Sequence, residues 1–569
     1  MEDRLERLVG WFDQSEEATR DARRESELHR DYYDGKQWTS DEQSKLLQRG
    51  QAPVVDNRVK DKVDYLLGLE RTMRTDPKAF PRNPTDDGAA EAATDALRYV
   101  VENNDFDQVR SEIVEDYLIE GTGVAEIIVE TRNDEPVISI NHIFWDRFFH
   151  DPYSRRRDFA DARYLGQAIW MDYDQAVKKY GDKEILEASK GSTTPLDETY
   201  EDKPSRWWDS KRNRLRILEI YYKEGAKCMR AVFCRGGYLE KPEESIYLDE
   251  DGLQTWPYEA QSAFVDRDGN RYGIVRRYKD LQDELNKRRS KFLDATSRRN
   301  VIMDKGAVDD VNVMRNLLAQ PDGAIEKKRG FDFQVLPNTD IANGHFTLLQ
   351  QTLSEFAQVG PHAVLSGTGG SESGRSKQID QQGAVIQLGT LMDGVRAWQK
   401  RVYRKAWQCV KQFWTDEKWV RVRDLDEVSG VRFVPLNYTD PNTGEMLNKV
   451  AELDLDIIVE EAPDVISLQQ ETFEMMTLLA KSGAPIAPEL LIELSPLPSS
   501  KKRMALERLQ PQPEQQQKQA IAEQMQMAAG AAEIAETQAD AEKKRASAYK
   551  TTVDAQGKEI ENYLRGLGL

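Results

Sequence analysis

The stretch GPHAVLSGTGGSESGRSKQIDQQGAVIQLGTLMDGVRAWQKRVYRKAWQCVKQFW, Gly360–Trp414, decides how the chain is organised. A Gly-Pro break and a glycine-serine loop, Ser366 to Gly374, precede a proline-free run. In that run Leu388, Leu391, Val395, Trp398 and Val402 recur at steps of three and four, the spacing of a helical stripe. At about 1.5 Å per residue, nearly forty residues of helix would be roughly 60 Å long. That exceeds the width of an ordinary compact domain and predicts an extended subunit with this helix as its spine. Trp398, Trp407 and Trp414 lie on or beside the stripe and are expected to pack, not to stack on bases.

Working backwards, Arg276–Arg299 predicts a second long helix whose apolar stripe, Tyr278, Leu281, Leu285 and Phe292, is thin and flanked on both sides by polar residues. Such a helix suits packing beside copies of itself around a water-filled space. Between the two, Met303–Asp340 predicts strand, short helix and strand, with Pro321-Asp-Gly323 as a turn, and Phe346–Val359 a helix returning to the Gly-Pro break. The order is long helix, compact α/β insert, helix, glycine-rich loop, spine.

The first 120 residues predict helices, with a turn at Asp31–Gly35, a break at Gly50–Pro53, and helices over Val54–Arg74, Ala89–Asn103 and Phe106–Glu120. Gly121-Thr-Gly123 then changes the period. Val124–Thr131 and Pro136–Ile143 predict a hairpin turning near Asn133-Asp134, and Leu215–Phe233 with Gly237–Tyr247 a second sheet. Trp419–Val422, Val431–Leu436 and Leu455–Val459 are expected strands; Ser467–Lys481, Glu489–Leu494 and Lys501–Leu509 are expected helices. From Gln512 the tail is Gln-, Ala- and Glu-rich, helical only if it pairs with copies of itself or a partner. The fold class is mainly α with small β-sheets, α+β.

With 569 residues, 39% hydrophobic and 32% charged, the composition is that of a soluble protein, and no apolar run approaches a membrane span. The charged start lacks a secretory signal, which predicts action in the compartment of synthesis. Cys228, Cys234 and Cys409 are too few for a disulfide framework or zinc cluster and point to a reducing cytosol. The net charge of −20 argues against wholesale wrapping of nucleic acid, yet its distribution is uneven. Arg271–Asn300 holds ten basic against four acidic residues and Arg375–Lys411 eight against two, so these helices carry +12 and the remainder −32. Two outcomes are open for them: ion pairs with acidic neighbours, or direct phosphate contact.

Three motifs bear on chemistry. Gly369-Gly-Ser-Glu-Ser-Gly-Arg375-Ser376 imitates a phosphate-binding loop with Arg in place of Lys, and Asp456–Glu461 could imitate the acidic strand that holds magnesium. Arg does not replace that Lys freely, and only His362–Leu365 remain for the required preceding strand, so a P-loop-like ATPase is the alternative reading. Asp266-x-Asp268-x-Asn270 resembles a calcium loop, but its glycine falls at the wrong position, which predicts a surface turn. The five histidines show no metal spacing. No cofactor, no metal and no catalytic residue is expected. A coiled-coil scaffold, suggested by the tail, is the third reading.

Several stretches together resemble the portal proteins, or head-to-tail connectors, of tailed bacteriophages, in particular of short-tailed phages. They are Arg30-Asp-Tyr-Tyr-Asp-Gly-Lys-Gln-Trp38, Asn57-Arg-Val to Gly68-Leu-Glu-Arg-Thr72, Ala162-Arg-Tyr164 after the Asp151-Pro-Tyr-Ser154 turn, Asp283-Glu-Leu-Asn-Lys-Arg-Arg-Ser290, and Ser373-Gly-Arg375. The resemblance covers roughly residues 1 to 510. It implies a homo-oligomeric ring, usually of twelve subunits, at one capsid vertex of the virion, assembled in the host cytoplasm. Double-stranded DNA would enter and leave through its channel. The implied partners are the terminase large subunit, a head-completion or tail adaptor protein, and the major capsid and scaffolding proteins, with no membrane.

By that resemblance, 1–272 is a wing, 273–300 a descending stem helix, 301–344 a clip and 345–365 an ascending stem helix. Residues 366–375 form a tunnel loop, 376–460 the spine and returning wing strands, 461–510 a crown, and 511–569 a short barrel or a disordered tail. The tunnel loop would comprise Ser366, Gly367, Thr368, Gly369, Gly370, Ser371, Glu372, Ser373, Gly374 and Arg375, able to change shape without steric penalty. Arg276, Arg277, Lys287, Arg288, Arg289, Arg298 and Arg299 would be DNA-facing or subunit-contact residues of the stem, and Lys327, Lys328 and Arg329 clip contacts. Twelve copies at −20 total about −240, which predicts a largely acidic lumen that repels DNA and lets it slide.

Overall fold

The computed structural model describes residues 2–72, 74, 77–81, 87–190, 207–297, 300–320, 323–336, 339–359, 374–423, 431–439, 446–448, 450 and 455–459, with short helical stretches within 473–493 and 541–558. It divides into two units, Met1–Ala462 and Pro463–Leu569. Helix Pro488–Glu493 belongs to the second; everything below concerns the first.

Three helices lead: α1 (Glu2–Asp34), α2 (Ser40–Gln48) and α3 (Arg58–Thr72). Thr39 and Glu42 close a reciprocal capping box that starts α2. There follow β1 (Pro77–Pro81), α4 (Asp87–Asn103), α5 (Phe106–Ile119), and the hairpin β2 (Thr122–Arg132) and β3 (Glu135–Ile143). Asn133 and Asp134 turn that hairpin with φ of 53° and 63°, the left-handed pair that a tight hairpin favours.

Next come β4 (Phe148–His150), β5 (Tyr164–Asp172), α6 (Tyr173–Tyr180), α7 (Lys183–Lys190), β6 (Trp208–Asp209), β7 (Arg214–Glu224), β8 (Lys227–Cys234) and β9 (Gly237–Glu244). These strands form a six-stranded sheet ordered β4-β5-β7-β8-β9 with β6 on β7. Strand β7 shows why it has two covers. Leu218, Ile220 and Tyr222 meet Leu8, Val9 and Phe12 of α1, whereas Leu215 and Ile217 meet Ala176 and Leu186 of the two short helices. Successive side chains point to opposite faces, so each cover takes alternate residues.

Strand β10 (Tyr258–Ser262) joins the hairpin in a three-stranded sheet ordered β10-β2-β3. Then β11 (Phe264–Val265) and β12 (Arg271–Tyr272) pair around the Asp266–Asn270 turn. As expected, this is a turn: Asp266 Oδ1 accepts from the amides of Asp268 and Asn270. A 3-10 turn, Ile274–Arg277, opens α8 (Lys279–Ser297). The insert is β13 (Asn300–Met303), α9 (Val311–Ala319) and β14 (Phe333–Leu336), followed by α10 (Thr339–Gln358) and the 40-residue α11 (Gly374–Phe413). Strands β15 (Lys418–Arg423), β16 (Val431–Leu436), β17 (Tyr438–Thr439), β18 (Met446–Leu447) and β19 (Leu455–Val459) complete the unit.

The spine expected from sequence is the element that joins the cores. Trp398, Val402, Trp407 and Val410 of α11 share one cluster with Leu97, Phe106, Ile127 and Ile140, while Leu391, Met392 and Val395 share another with Val63, Leu66 and Leu118. The three tryptophans are packing groups, each 2% exposed, as expected. Basic residues of α11 hold β10: Arg401 donates to the Ala260 carbonyl at 3.1 Å and Lys405 to the Trp256 carbonyl at 2.6 Å, and both pair with Glu259.

One expectation is corrected. The helix expected over Val54–Arg74 starts only at Arg58; before it the amides of Val54 and Asp56 bond side chains of α8.

Candidate functional site: a paired helix hairpin and its polar ladder

Helices α8 and α10 lie antiparallel. Tyr278 stacks on Phe356 with ring centroids 5.7 Å apart, and Phe292 meets Phe346 at 5.8 Å, so the start of one helix faces the end of the other. Leu285 is fully buried along the contact, and Thr352, 1% exposed, donates to Glu284 at 3.4 Å. Because α9 and the β13–β14 pair link the two helices, the insert lies at the far end of this hairpin. There Asp310 caps α9 through the Asn312 amide, and the two strands run in register from Asn300 opposite Leu336 to Met303 opposite Phe333.

The root of the hairpin is fixed by backbone contact. A Cβ at Gly121 would lie 2.1 Å from the carbonyl carbon of Tyr272, and Gly121 has φ +95°; a Cβ at Gly273 would lie 2.2 Å from the Ile119 oxygen. Only glycine allows the end of α5 to press on the turn that opens α8.

A second device holds α8 along its length. Gln282, Asn286 and Ser290, spaced one turn apart, are at most 3% exposed. The Gln282 carbonyl accepts from the amides of Arg58 and Val59, Asn286 from that of Asp56 and Ser290 from that of Val54, at 3.0 to 3.3 Å. Asn286 also donates to Gln37 at 2.6 Å. Amides ahead of a helix and in its first turn have no intrahelical acceptor, so α8 supplies one. One of the two polar flanks of this thin-seamed helix is thus filled from within the chain. The uncharged i, i+4, i+8 spacing in an otherwise charged helix was the signal.

The charged residues follow the same logic. Arg276 forks onto Glu25, pairs with Asp266 at 3.5 Å and lies over the Tyr272 ring. The Glu25 hydrogen bonds hold its guanidinium above the ordinary range. Arg288 pairs with Glu284 and Arg289 with Asp56. Burial, with help from the Asp283 carboxylate that its hydroxyl donates to, pushes the Tyr32 phenol up. Arg277 and Lys287 are exposed and, among the described residues, make no ion pair. On the insert, Lys327, Lys328 and Arg329 are exposed, with Lys328 2.6 Å from Asp309. Arg298, Arg299 and the loop residues Ser366–Ser373 lie outside the described residues; Gly374 and Arg375 begin α11, and their side chains lie outside them too.

The Phage P22-like portal protein family matches residues 9–551. The chain belongs to that family. Phage portal function comes with it, as does a place in a capsid-associated oligomeric complex of the virion, and portal proteins are structural proteins. A curated relative, "Portal protein" of Helicobacter pylori bacteriophage KHP30, is 23% identical over 486 residues, 82% of this chain and 74% of the relative. The alternative readings find no support. Every strand pair among the described residues of this portal protein is antiparallel, and β19, the strand that could imitate a magnesium-holding one, pairs with β1. Phosphate-binding loops of that type follow strands of parallel sheets. No helix among the described residues is long and apolar enough to cross a membrane.

Proposed function

We propose that about twelve copies of this portal protein close into a ring at a capsid vertex and that double-stranded DNA passes along its axis during packaging and ejection. The observation that carries this reading is the antiparallel α8–α10 hairpin with its α/β insert at the far end. A hairpin rooted on a large body by glycine contacts can project from it, and identical hairpins side by side make a tube. The stem is then α8 and α10 from residue 345 onward, and the clip is 301–344, which includes the first turns of α10 and is where the terminase large subunit and later the tail adaptor dock. Residues 1–272 form the wing, 376–460 the spine and returning wing strands, 461–510 the crown, and 511–569 a short barrel or a disordered tail. The loop 366–373, with Gly374 and Arg375 at the start of α11, narrows the channel. Arg277 and Lys287 are stem cations for a neighbouring subunit, and Lys327, Lys328 and Arg329 clip residues for its partners. Host-cell assembly and contacts with capsid and scaffolding proteins complete the reading.

The deciding measurement is native mass combined with negative-stain imaging of the purified chain. A ring with a central hole is expected; a lone monomer under virion-like conditions overturns the proposal. Magnesium-dependent ATP turnover lost in Arg375→Ala would overturn its non-enzymatic side.

A further inference from the structure

Helix α10 differs from its partner in one respect that the ring reading does not use. Helix α8 carries five basic and four acidic residues. From Asn343 to Gln358, α10 carries a single full charge, Glu355. Asn343, Thr347, Gln350, Gln351, Ser354 and Gln358 are all exposed. At 3.6 residues per turn they share one face, roughly opposite the face on which Thr352 and Phe356 are buried against α8, and run for about 22 Å along the axis. Between these faces, on either flank, stand the exposed apolar residues Phe346 (44%) and Leu348 (39%).

We propose that this amide-and-hydroxyl stripe lines the stem lumen, so that DNA slides at this level over an uncharged ring instead of the acidic one that net charge predicts. The proposal rests on the ring reading above. In a ring each helix has a back, two sides and a front. The back of α10 is taken by α8, and the sides bear the apolar residues that neighbouring copies would cover. The front is left, and from Asn343 to Gln358 it is the face without charge. Uncharged groups suit a moving polyanion. A lysine would hold each phosphate by counterion release and make passage salt-dependent, and a carboxylate would repel it. Amides and hydroxyls exchange hydrogen bonds with water and phosphate without either effect. Two of them are also tied to their own helix: Thr347 donates to the Asn343 carbonyl at 3.0 Å and Gln351 to Glu355 at 2.9 Å.

The test places single cysteines in the full-length protein assembled into heads and reads maleimide labelling in empty and DNA-filled particles. Cys228, Cys234 and Cys409 are buried, which keeps the background low. Gln350→Cys and the near-isosteric Ser354→Cys should label in empty heads and be protected at least several-fold by DNA, while Asp280→Cys on α8, 99% exposed in its side chain, should label equally in both. Gln350→Lys should slow ejection at low salt and recover as salt rises. Equal labelling at positions 350 and 354 in both states, protection already in empty rings, or DNA protection of Asp280→Cys instead would overturn the lining assignment while leaving the ring standing. Absence of rings for the unmodified chain would overturn the ring itself.

Discussion

The side-chain amide of Gln282 donates to the main-chain carbonyl of Asp56, 2.7 Å away across 226 residues of sequence. The same side chain accepts from the amides of Arg58 and Val59, so one glutamine bonds three backbone groups, one before α3 and two in its first turn. Gln282→Leu would take the side-chain partner from the buried Val59 amide and one of two partners from the Arg58 amide and the Asp56 carbonyl, which also bond each other at 2.9 Å. A loss of about 1–3 kcal/mol is expected, the cost of one orphaned buried group. Urea denaturation checks the magnitude, and a smaller loss for Gln282→Glu than for Gln282→Leu checks the cause. Equal losses would show that packing and not hydrogen bonding matters there.

Trp398 makes the corresponding contact for the spine. Its ring lies 6.2 Å from that of Phe106, and its indole N–H donates to the Glu259 carbonyl at 2.9 Å. Trp398→Ala should cost about 3–5 kcal/mol through cavity formation, and Trp398→Phe about 1 kcal/mol for the lost hydrogen bond plus the lost ring volume. Thermal unfolding of the two variants gives the comparison.

At the root of the hairpin, Gly121→Ala meets both a left-handed φ of +95° and a neighbour's carbonyl carbon 2.1 Å away. A destabilisation above about 2 kcal/mol is expected. Gly225→Ala, also left-handed at +67° but with open space around it, isolates the backbone part and should cost less.

Between the two sheets, Gln167 donates to Glu126 at 2.6 Å and to Glu219 at 3.0 Å. Burial, then the Glu219 charge, pushes the Glu126 carboxyl up from 4.5 to about 7. Between those values the native chain holds a proton that the unfolded chain has lost, so this group's contribution to stability falls as pH rises through the window. Glu126→Gln should therefore gain stability at pH 8, on the order of 2 kcal/mol, and almost nothing near pH 4. Burial, then Arg271, pulls His150 the other way, from 6.5 to about 3. There the unfolded chain binds the extra proton, so stability should fall as pH drops below 6.5, in wild type and variant alike. Urea midpoints across pH 4–8 separate the two groups.

Much of the element order was legible from periodicity. The 3.6-residue recurrence of α11, the alternation of β7 and the Asn133-Asp134 turn each follow from local geometry that a single chain segment obeys alone. The site was less legible. The thin apolar seam of α8 could be seen, but not that Gln282, Asn286 and Ser290 face a segment more than two hundred residues away. An uncharged polar residue looks the same in sequence whether it faces water or a backbone amide. The basic residues were ambiguous for the same reason: Arg276 and Arg289 find carboxylates, Glu25 and Asp56, far away in sequence, whereas the partner of Arg288, Glu284, stands one helical turn away.

The amino-acid sequence alone determined the class, the long spine and the helix–insert–helix–loop–helix order, because those depend on patterns within ten to forty neighbouring residues. Only the tertiary structure decided which cations are spent inside the chain, which glycines carry backbone contacts, and that α10 turns an uncharged face away from its partner. Those are matters of what stands across a few ångströms of space, and folding brings together residues whose separation in sequence carries no record of that distance.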